Sequence, residues 1–582
     1  MRCSLSAPLV LFSLPAFAAG ASNAYDFIVI GGGTAGIALS TRLSRFLPTS
    51  TILVLEAGPA APDEPGINVP GLSGSTFGTK YDWNFTTVPQ LFADNRSLPQ
   101  TRGRVLGGSS ALNFMAWNRA TVPEYDAWSD TAFGGRCSGW DFEHFYPAML
   151  RAENFTRTTA PDVYGGRGDG HAGPVHTVVN DVFSAQAAAF IPTLVNLGFP
   201  RNLNALDGHS IGADRVPCSV RAGNWTRSYS TSYIPLAGPN LRVQTNARVA
   251  RINFWRGGSV ATGVTLEDGA ILTARKEVIL SAGAFQSPQL LEWSGIGNKT
   301  ILSAAGITTL LDLPGVGEHL QDHIRLTNVY LLKPHLTSVD QLIYNTTFSG
   351  EQRALYNAGA FLKWSQAGIT DLGSPASSAT DSPIDRKKLS YLTNPLVPDL
   401  ELIFRDGYAG AKTYPMPGSP LYGRNFFTLV AGIMHPFAQG SVHINASNPR
   451  GAPLIDPRYL STPHDLAAVG AAVQYLRKVA ETPPLRDLWD AEYEPGPAVQ
   501  TPEQWTAYAR ATMGSIFHPM GSCAMMTRAE GGVVEPNLLV HGTRNLRVVD
   551  ASIIPVQLSA HPQTAVYGIA ERAANLIAHL YA

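Results

Sequence analysis

A short apolar run, Tyr25–Ile30 (YDFIVI), passes without a break into Gly31-Gly32-Gly33-Thr34-Ala35-Gly36, and a helix-patterned stretch, Ile37–Phe46, follows. A second apolar run, Thr51–Glu56 (TILVLE), ends in an acid 20 positions after Gly36. Together these read as strand, tight turn, helix and parallel strand, with the turn spelling Gly-x-Gly-x-x-Gly. Such a unit brings backbone N–H groups and the positive end of a helix dipole to one point, where a pyrophosphate can sit. Gly31, Gly33 and Gly36 allow the turn and the close backbone approach, with Thr34 and Ala35 completing the cradle, and Glu56 is placed to accept from a ribose hydroxyl. A lone glycine motif is weak evidence. With both strands, the helix and the acid in register, it specifies a dinucleotide site.

The turn does not separate a nicotinamide from a flavin, but the residues before it bear on the choice. Met1–Gly20 has the form of an export signal: Arg2 gives the positive start, Ala7–Leu14 the apolar run, and Ala16-Phe17-Ala18 a small-x-small cleavage site. A signal peptide over residues 1–18 predicts a protein that is secreted or resides in the secretory pathway. A nicotinamide must exchange with a cellular pool, whereas a flavin stays bound and is recycled by an electron acceptor, so export favours FAD. Seven Asn-x-Ser/Thr sites, at Asn84, Asn95, Asn154, Asn224, Asn298, Asn345 and Asn445, fit a glycoprotein. With Cys3 lost in the leader, Cys137, Cys218 and Cys523 allow at most one disulfide and a free thiol. No cysteine pair has metal-ligand spacing, and no metal is expected.

At 582 residues the chain is too long for one nucleotide-binding unit. Its 43 Lys+Arg against 44 Asp+Glu leave a net charge of −1, so neither nucleic acid nor an anionic membrane has an electrostatic hold on it. Apart from the leader no apolar run approaches the ~20 residues that span a bilayer. Beyond Glu56 the small-residue stretches continue: Gly103-Arg104-Val105-Leu106-Gly107-Gly108-Ser109-Ser110 leading to Asn113, then Gly283–Gly297, then Leu313–His323. Strand-like runs at Leu241–Gln244, Ala250–Phe254, Val278–Leu280 and Leu546–Asp550, and a closing helix at Thr564–His579, recover the pattern of the first unit. The segment Asp141–Asn204 reads as helical and irregular, and residues 326–505 mix strand-like and helical runs. The chain thus enters and leaves the nucleotide-binding portion several times, with the intervening stretches forming a cap.

These blocks, in this order, together with His518-Pro519-Met520-Gly521 and Asn545–Ala574, resemble the glucose–methanol–choline (GMC) family of FAD-dependent alcohol oxidases and dehydrogenases. Tyr81–Gln90 and His561–Ala574 are most similar to secreted fungal aryl-alcohol-oxidase-like members, those of secondary metabolism included. The resemblance implies an α/β (α+β composite) fold. A discontinuous Rossmann-like FAD-binding domain would span 24–110, 221–325 and 511–582, interleaved with a substrate domain of antiparallel sheet and helices over 111–220 and 326–510. It implies further FAD contacts from Arg104, Gly107, Gly108, Ser109, Asn113, Val249, Asp550, Ala551, Gln563 and Thr564. Covalent attachment in the family uses a histidine after the Gly-Gly-Ser-Ser turn; Leu112-Asn113-Phe114 offers none, so the FAD is expected to be non-covalent.

Alcohol oxidation removes a hydroxyl proton and a hydride from one carbon. A histidine suits the base role, being neutral at rest and cationic after proton uptake. Among 14 histidines, His518 and His561 match the family's catalytic pair, with His518 as base and His561 aligning the alcohol. Phe517 is expected to wall the pocket, with Tyr81 and Trp83 at its entrance. The function implied is oxidation of a small primary alcohol, benzylic or furanic, to aldehyde or lactone, with dioxygen reduced to hydrogen peroxide. A quinone-dependent dehydrogenase of the same fold is one alternative, and an FAD-containing hydroxynitrile lyase another. The expected partners are the alcohol and its electron acceptor, with the protein a monomer or weak homodimer.

Overall fold

The computed structural model describes residues 23–133, 139–157, 167–180, 183–255, 257–345, 358–372 and 382–582. The export signal and Cys137 lie outside the described residues. The first sheet grows from the apolar runs of the opening unit. Strands Leu241–Gln244, Ile52–Leu55, Ala24–Ile30, Ile271–Leu280 and Leu546–Val548 lie parallel in that order. Phe27–Ile30 and Ile52–Leu55 are buried on both faces, which is why they read as continuous hydrophobic runs rather than alternating ones. Ile30 is level with Leu55 and Leu280, and Leu280 with Val548, so four strands end together at one carboxyl edge. That edge is where open α/β sheets bind ligands.

The strand expected at Val278–Leu280 begins earlier, at Ile271. Its first half alternates between exposed and buried residues, because there it borders an antiparallel pair, Val249–Phe254 and Ala261–Leu266. Its second half is buried against Leu546–Val548 on the same edge. The first helix runs Thr34–Phe46, three residues longer at its start than its apolar pattern. A Cβ on Gly36 would lie 1.9 Å from the Gly31 carbonyl oxygen, so a glycine is required for the helix to begin this close to the strand. The helix then packs on the closing helix, Gln563–Tyr581, where Arg42 Nε meets Glu571 Oε1 at 2.8 Å. Within Asp141–Asn204 the structure has helices Phe142–Ala152 and Ala185–Asn196 and a short parallel pair, Glu153–Thr156 with Val175–Val178.

The second sheet is antiparallel, in the order Ala358–Leu362, Leu400–Asp406, Phe426–Ile433, Ile324–Leu332 and Trp489–Glu494. Gly514–Ser515 adds beside Ile324–Arg325. One face of this sheet buries Leu402, Phe404, Leu429 and Ala431 against the helix Pro463–Ala480 and its neighbours. The opposite face carries Glu401, Ile403 and Arg405 by the two-residue alternation of a strand. Asn84, Asn95 and Asn224 are exposed, while Asn154, Asn298, Asn345 and Asn445 are half-buried; Asn298 accepts the Thr300 N–H at 2.9 Å as a helix cap.

The strands Ile271–Leu280 and Leu546–Val548 are also joined by a buried two-pronged ion pair. Arg547 donates from Nε to Glu277 Oε2 at 2.7 Å and from Nη2 to Oε1 at 2.8 Å. Removing one partner strands a buried charge, at a cost of about 3–5 kcal/mol. Arg547→Ala is therefore expected to lower the unfolding free energy by that amount in a denaturant titration.

Candidate active site

A cavity of about 510 Å³ opens at the carboxyl edge of the first sheet and runs to the free face of the second. Gly31, Gly33, Thr34, Ala35 and Glu56 line its inner end, facing Gly108, Ser109 and Asn113. Gly31 has φ +102°, and a Cβ there would lie 2.4 Å from the Ser281 carbonyl oxygen. The helix starting at Thr34 has no side-chain cap, so the N–H groups of its first turn are left for a ligand. Glu56 accepts the Gly32 N–H at 2.9 Å and the Gly58 N–H at 2.8 Å, and burial pushes its carboxyl up to about 7. A cradle without side chains, unspent helix N–H groups and a buried acid at a strand end together fit the ADP half of FAD.

Val249, Asp550, Ala551 and Gln563 also line the cavity. The Asp550 carboxylate is committed to protein: Oδ2 accepts from the Gly283 N–H at 2.9 Å and Ser287 Oγ at 2.6 Å, and Oδ1 accepts from the Ser552 N–H at 2.8 Å. It fixes the start of the helix Gly283–Trp293 against the strand end. Asn113 Nδ2 donates to Gln563 Oε1 at 3.0 Å, tying the small-residue stretch to the closing helix.

Other sequence-selected residues stand behind the wall. Gly36 packs on Gly31, and a Cβ on Gly107 would lie 2.5 Å from the Tyr229 ring. Arg104 is exposed, its guanidinium 5.1 Å from the Trp83 ring centre. Thr564 donates its hydroxyl to the Asn118 carbonyl at 2.6 Å. Trp83 lines the cavity, whereas Tyr81 packs with Ile67, Val105 and Tyr229 in a separate apolar cluster.

At the other end His518 and His561 meet edge to face, with ring centres 4.5 Å apart. Phe517, at φ +65°, points its ring at Phe77, which in turn contacts Phe114; the centroid separations are 5.7 Å and 5.8 Å. Sequence alone assigned no role to the groups that orient the histidines, although Asp322 and His323 close the Leu313–His323 block. His518 Nδ1 lies 2.8 Å from His323 Nδ1. Asp322 accepts the His518 N–H at 2.9 Å, and His561 Nε2 lies 3.1 Å from Glu401 Oε1. Asn118 Oδ1 accepts the His561 N–H at 2.8 Å. Burial, helped by His561, His323 and Arg102, holds the His518 imidazole well below its ordinary value, and burial does the same to His323. His518 is therefore neutral at neutral pH. With Nδ1 engaged by His323, Nε2 is the nitrogen left for a ligand. Glu401 could have been noticed in the run Leu400–Asp406, where Leu402 and Phe404 alternate with a face carrying an acid and a base.

Comparison with known proteins places this geometry. Family models described as GMC oxidoreductase match residues 25–325 and 436–570. A "GMC oxidoreductase family protein Mala s 12" of Malassezia sympodialis is 34% identical over 591 residues, covering 95% of this chain and 92% of that protein. Among solved structures, an FAD-dependent oxidoreductase from Chaetomium thermophilum superposes with a TM-score of 0.85 at 27% identity, covering 96% of this chain and 99% of that one. A fungal aryl-alcohol oxidase does so with a TM-score of 0.82 at 27% identity, covering 96% and 100%. The cofactor is FAD. A charge-assisted hydrogen bond is worth roughly 1.5–3 kcal/mol. Glu56→Gln is thus expected to weaken FAD retention by about tenfold or more, read as flavin absorbance remaining after dialysis.

Proposed function

The chain belongs to the GMC oxidoreductase family, and from that premise we propose that it oxidises a small primary alcohol, benzylic or furanic, to the aldehyde or lactone. The observation that carries this reading is the neutral imidazole of His518 at the cavity wall, with Nδ1 held by His323 and Nε2 left open. FAD, when bound without a covalent link, supplies the acceptor for the hydride.

His518 Nε2 takes the hydroxyl proton while Nδ1–H donates to His323, which fixes the tautomer. His561, braced by Glu401 and the Asn118 side chain, aligns the alcohol beside it. Phe517, Phe77 and Phe114 give the pocket an aromatic wall suited to a planar substrate. After proton uptake the cationic His518 favours negative charge developing on dioxygen, and hydrogen peroxide is the product we propose. Export as a glycoprotein, with Asn84, Asn95 and Asn224 the most accessible acceptors, completes the proposal. A role in secondary metabolism is compatible with such a substrate.

Anaerobic mixing with benzylic and furanic alcohols should bleach the flavin, and air should restore it with release of peroxide. His518→Ala should keep FAD and slow bleaching by about 10²–10⁴-fold; near-normal bleaching would remove His518 from the base role. The base works as the neutral imidazole, and its folded pKa is depressed. The rate should therefore hold as pH falls through about 6.5, where an unperturbed histidine is half protonated. A loss of half the rate at that pH would contradict the assignment.

A further inference from the structure

The sheet wall of the cavity carries one guanidinium, that of Arg325, with no matching acid among the described residues. Four arginines line the cavity: Arg102, Arg248, Arg325 and Arg405. Arg102 donates to the Phe517 carbonyl and faces Asp322. Arg248 pairs with Glu267 at 3.0 Å. Arg325 has no such partner among the described residues: its Nε is buried without a hydrogen bond, and the charge acting on it is that of Arg405. A guanidinium whose buried Nε makes no hydrogen bond is costly, and an anionic ligand in the cavity would offset that cost.

The sheet register explains why Arg325 faces this cavity. It is the second residue of the strand Ile324–Leu332, its side chain alternating with those of Ile324 and Leu326, which belong to the core on the other face. Across the strand it lies level with Gly514, where a Cβ would be 3.3 Å from Arg325 Nη2, so the guanidinium lies over a residue with no side chain. Arg405 stands two residues beyond Ile403 on the second strand over, with its guanidinium 5.3 Å from the Phe114 ring centre. Val430, on the strand between, lines the cavity as well. The histidines, the aromatic wall and the arginines thus belong to one enclosure.

We propose that Arg325, with Arg405 beside it, binds a carboxylate of the substrate, so that this enzyme takes a hydroxy acid: an alcohol at the histidines, a planar apolar middle, and a carboxylate at the sheet. This rests on the alcohol-oxidising reading above and names the substrate class of that site. A guanidinium suits the role because its planar fork matches a carboxylate with two parallel hydrogen bonds.

The test is calorimetric titration of the flavin-loaded enzyme with benzoate and, separately, with benzamide, which has the same shape without the charge. Benzoate is expected to bind about tenfold tighter or more. Arg325→Met should bring the two ligands to similar affinity, and Arg325→Lys should restore part of the preference. Equal affinities in the unaltered protein, or a preference that survives Arg325→Met, overturn the proposal. A second arm compares anaerobic flavin reduction by 4-(hydroxymethyl)benzoate and its methyl ester, where the acid should be the faster substrate. The two readings fail separately. An Arg325-dependent preference for benzoate with no alcohol bleaching the flavin sustains the anion site and removes the oxidase. Bleaching by neutral alcohols with no benzoate preference does the reverse.

Discussion

One buried carboxylate organises the reacting end of this protein. Asp322 Oδ1 accepts the N–H groups of His323 and His518, at 3.0 Å and 2.9 Å, while Oδ2 accepts hydroxyls from Ser515, at 2.5 Å, and from Tyr459. Burial alone raises the carboxyl above its ordinary value, and these donors together with Arg102 work against that. A charge in such a place is tolerable only when fully bonded. The donors that satisfy it come from the strand entering the second sheet, from the loop carrying His518, and from a tyrosine far along the chain. The same loop holds Phe517 in the left-handed region, a conformation costing on the order of 1–3 kcal/mol for a residue with a side chain. Ser515 Oγ accepts the Phe517 N–H at 2.6 Å and Arg102 donates to its carbonyl, so the strained residue is pinned from both sides.

The electrostatics of the enclosure follow from this arrangement. Three imidazoles and several guanidiniums cluster at this end of the cavity, and Glu401 and Asp322 contact the histidines. Burial and Glu401 push Asp214 up to about 8, so this neighbour of Glu401 adds little negative charge. Buried histidines among cations stay neutral. On the proposed mechanism, a neutral base that becomes cationic when it takes the proton stabilises the alkoxide oxygen while hydride leaves its carbon.

The nucleotide-binding half was legible in the sequence because its signals are local. Strand, glycine turn, helix and acid lie within Ala24–Glu56, and a turn that only glycine can make announces itself. That His518 and His561 belong at the cavity was legible for a similar reason, each lying inside a short and unusual block. The groups that contact and orient them were not. His323 is separated from His518 by 195 residues and Glu401 from His561 by 160, and no local pattern encodes such pairings. The reverse error occurs at Tyr81, where an aromatic in a distinctive phrase packs into a small apolar cluster instead of facing the cavity. Arg325 reads in sequence as an ordinary polar residue at the start of a strand. The sheet register, not the residue type, turns it toward the enclosure.

If His518 is the base, the FAD ring and His518 Nε2 face each other across one substrate site. A crystal structure of the flavin-loaded protein with a bound, unreactive alcohol analogue tests it most directly. The pyrophosphate should lie on the Gly31–Ala35 turn, with the analogue's oxygen at hydrogen-bond distance from His518 Nε2. The analogue's carbon should stand about 3–3.5 Å from the ring, as reacting atoms must. A ring lying away from the two histidines, or an analogue bound with His518 Nε2 turned to a protein group, would contradict it.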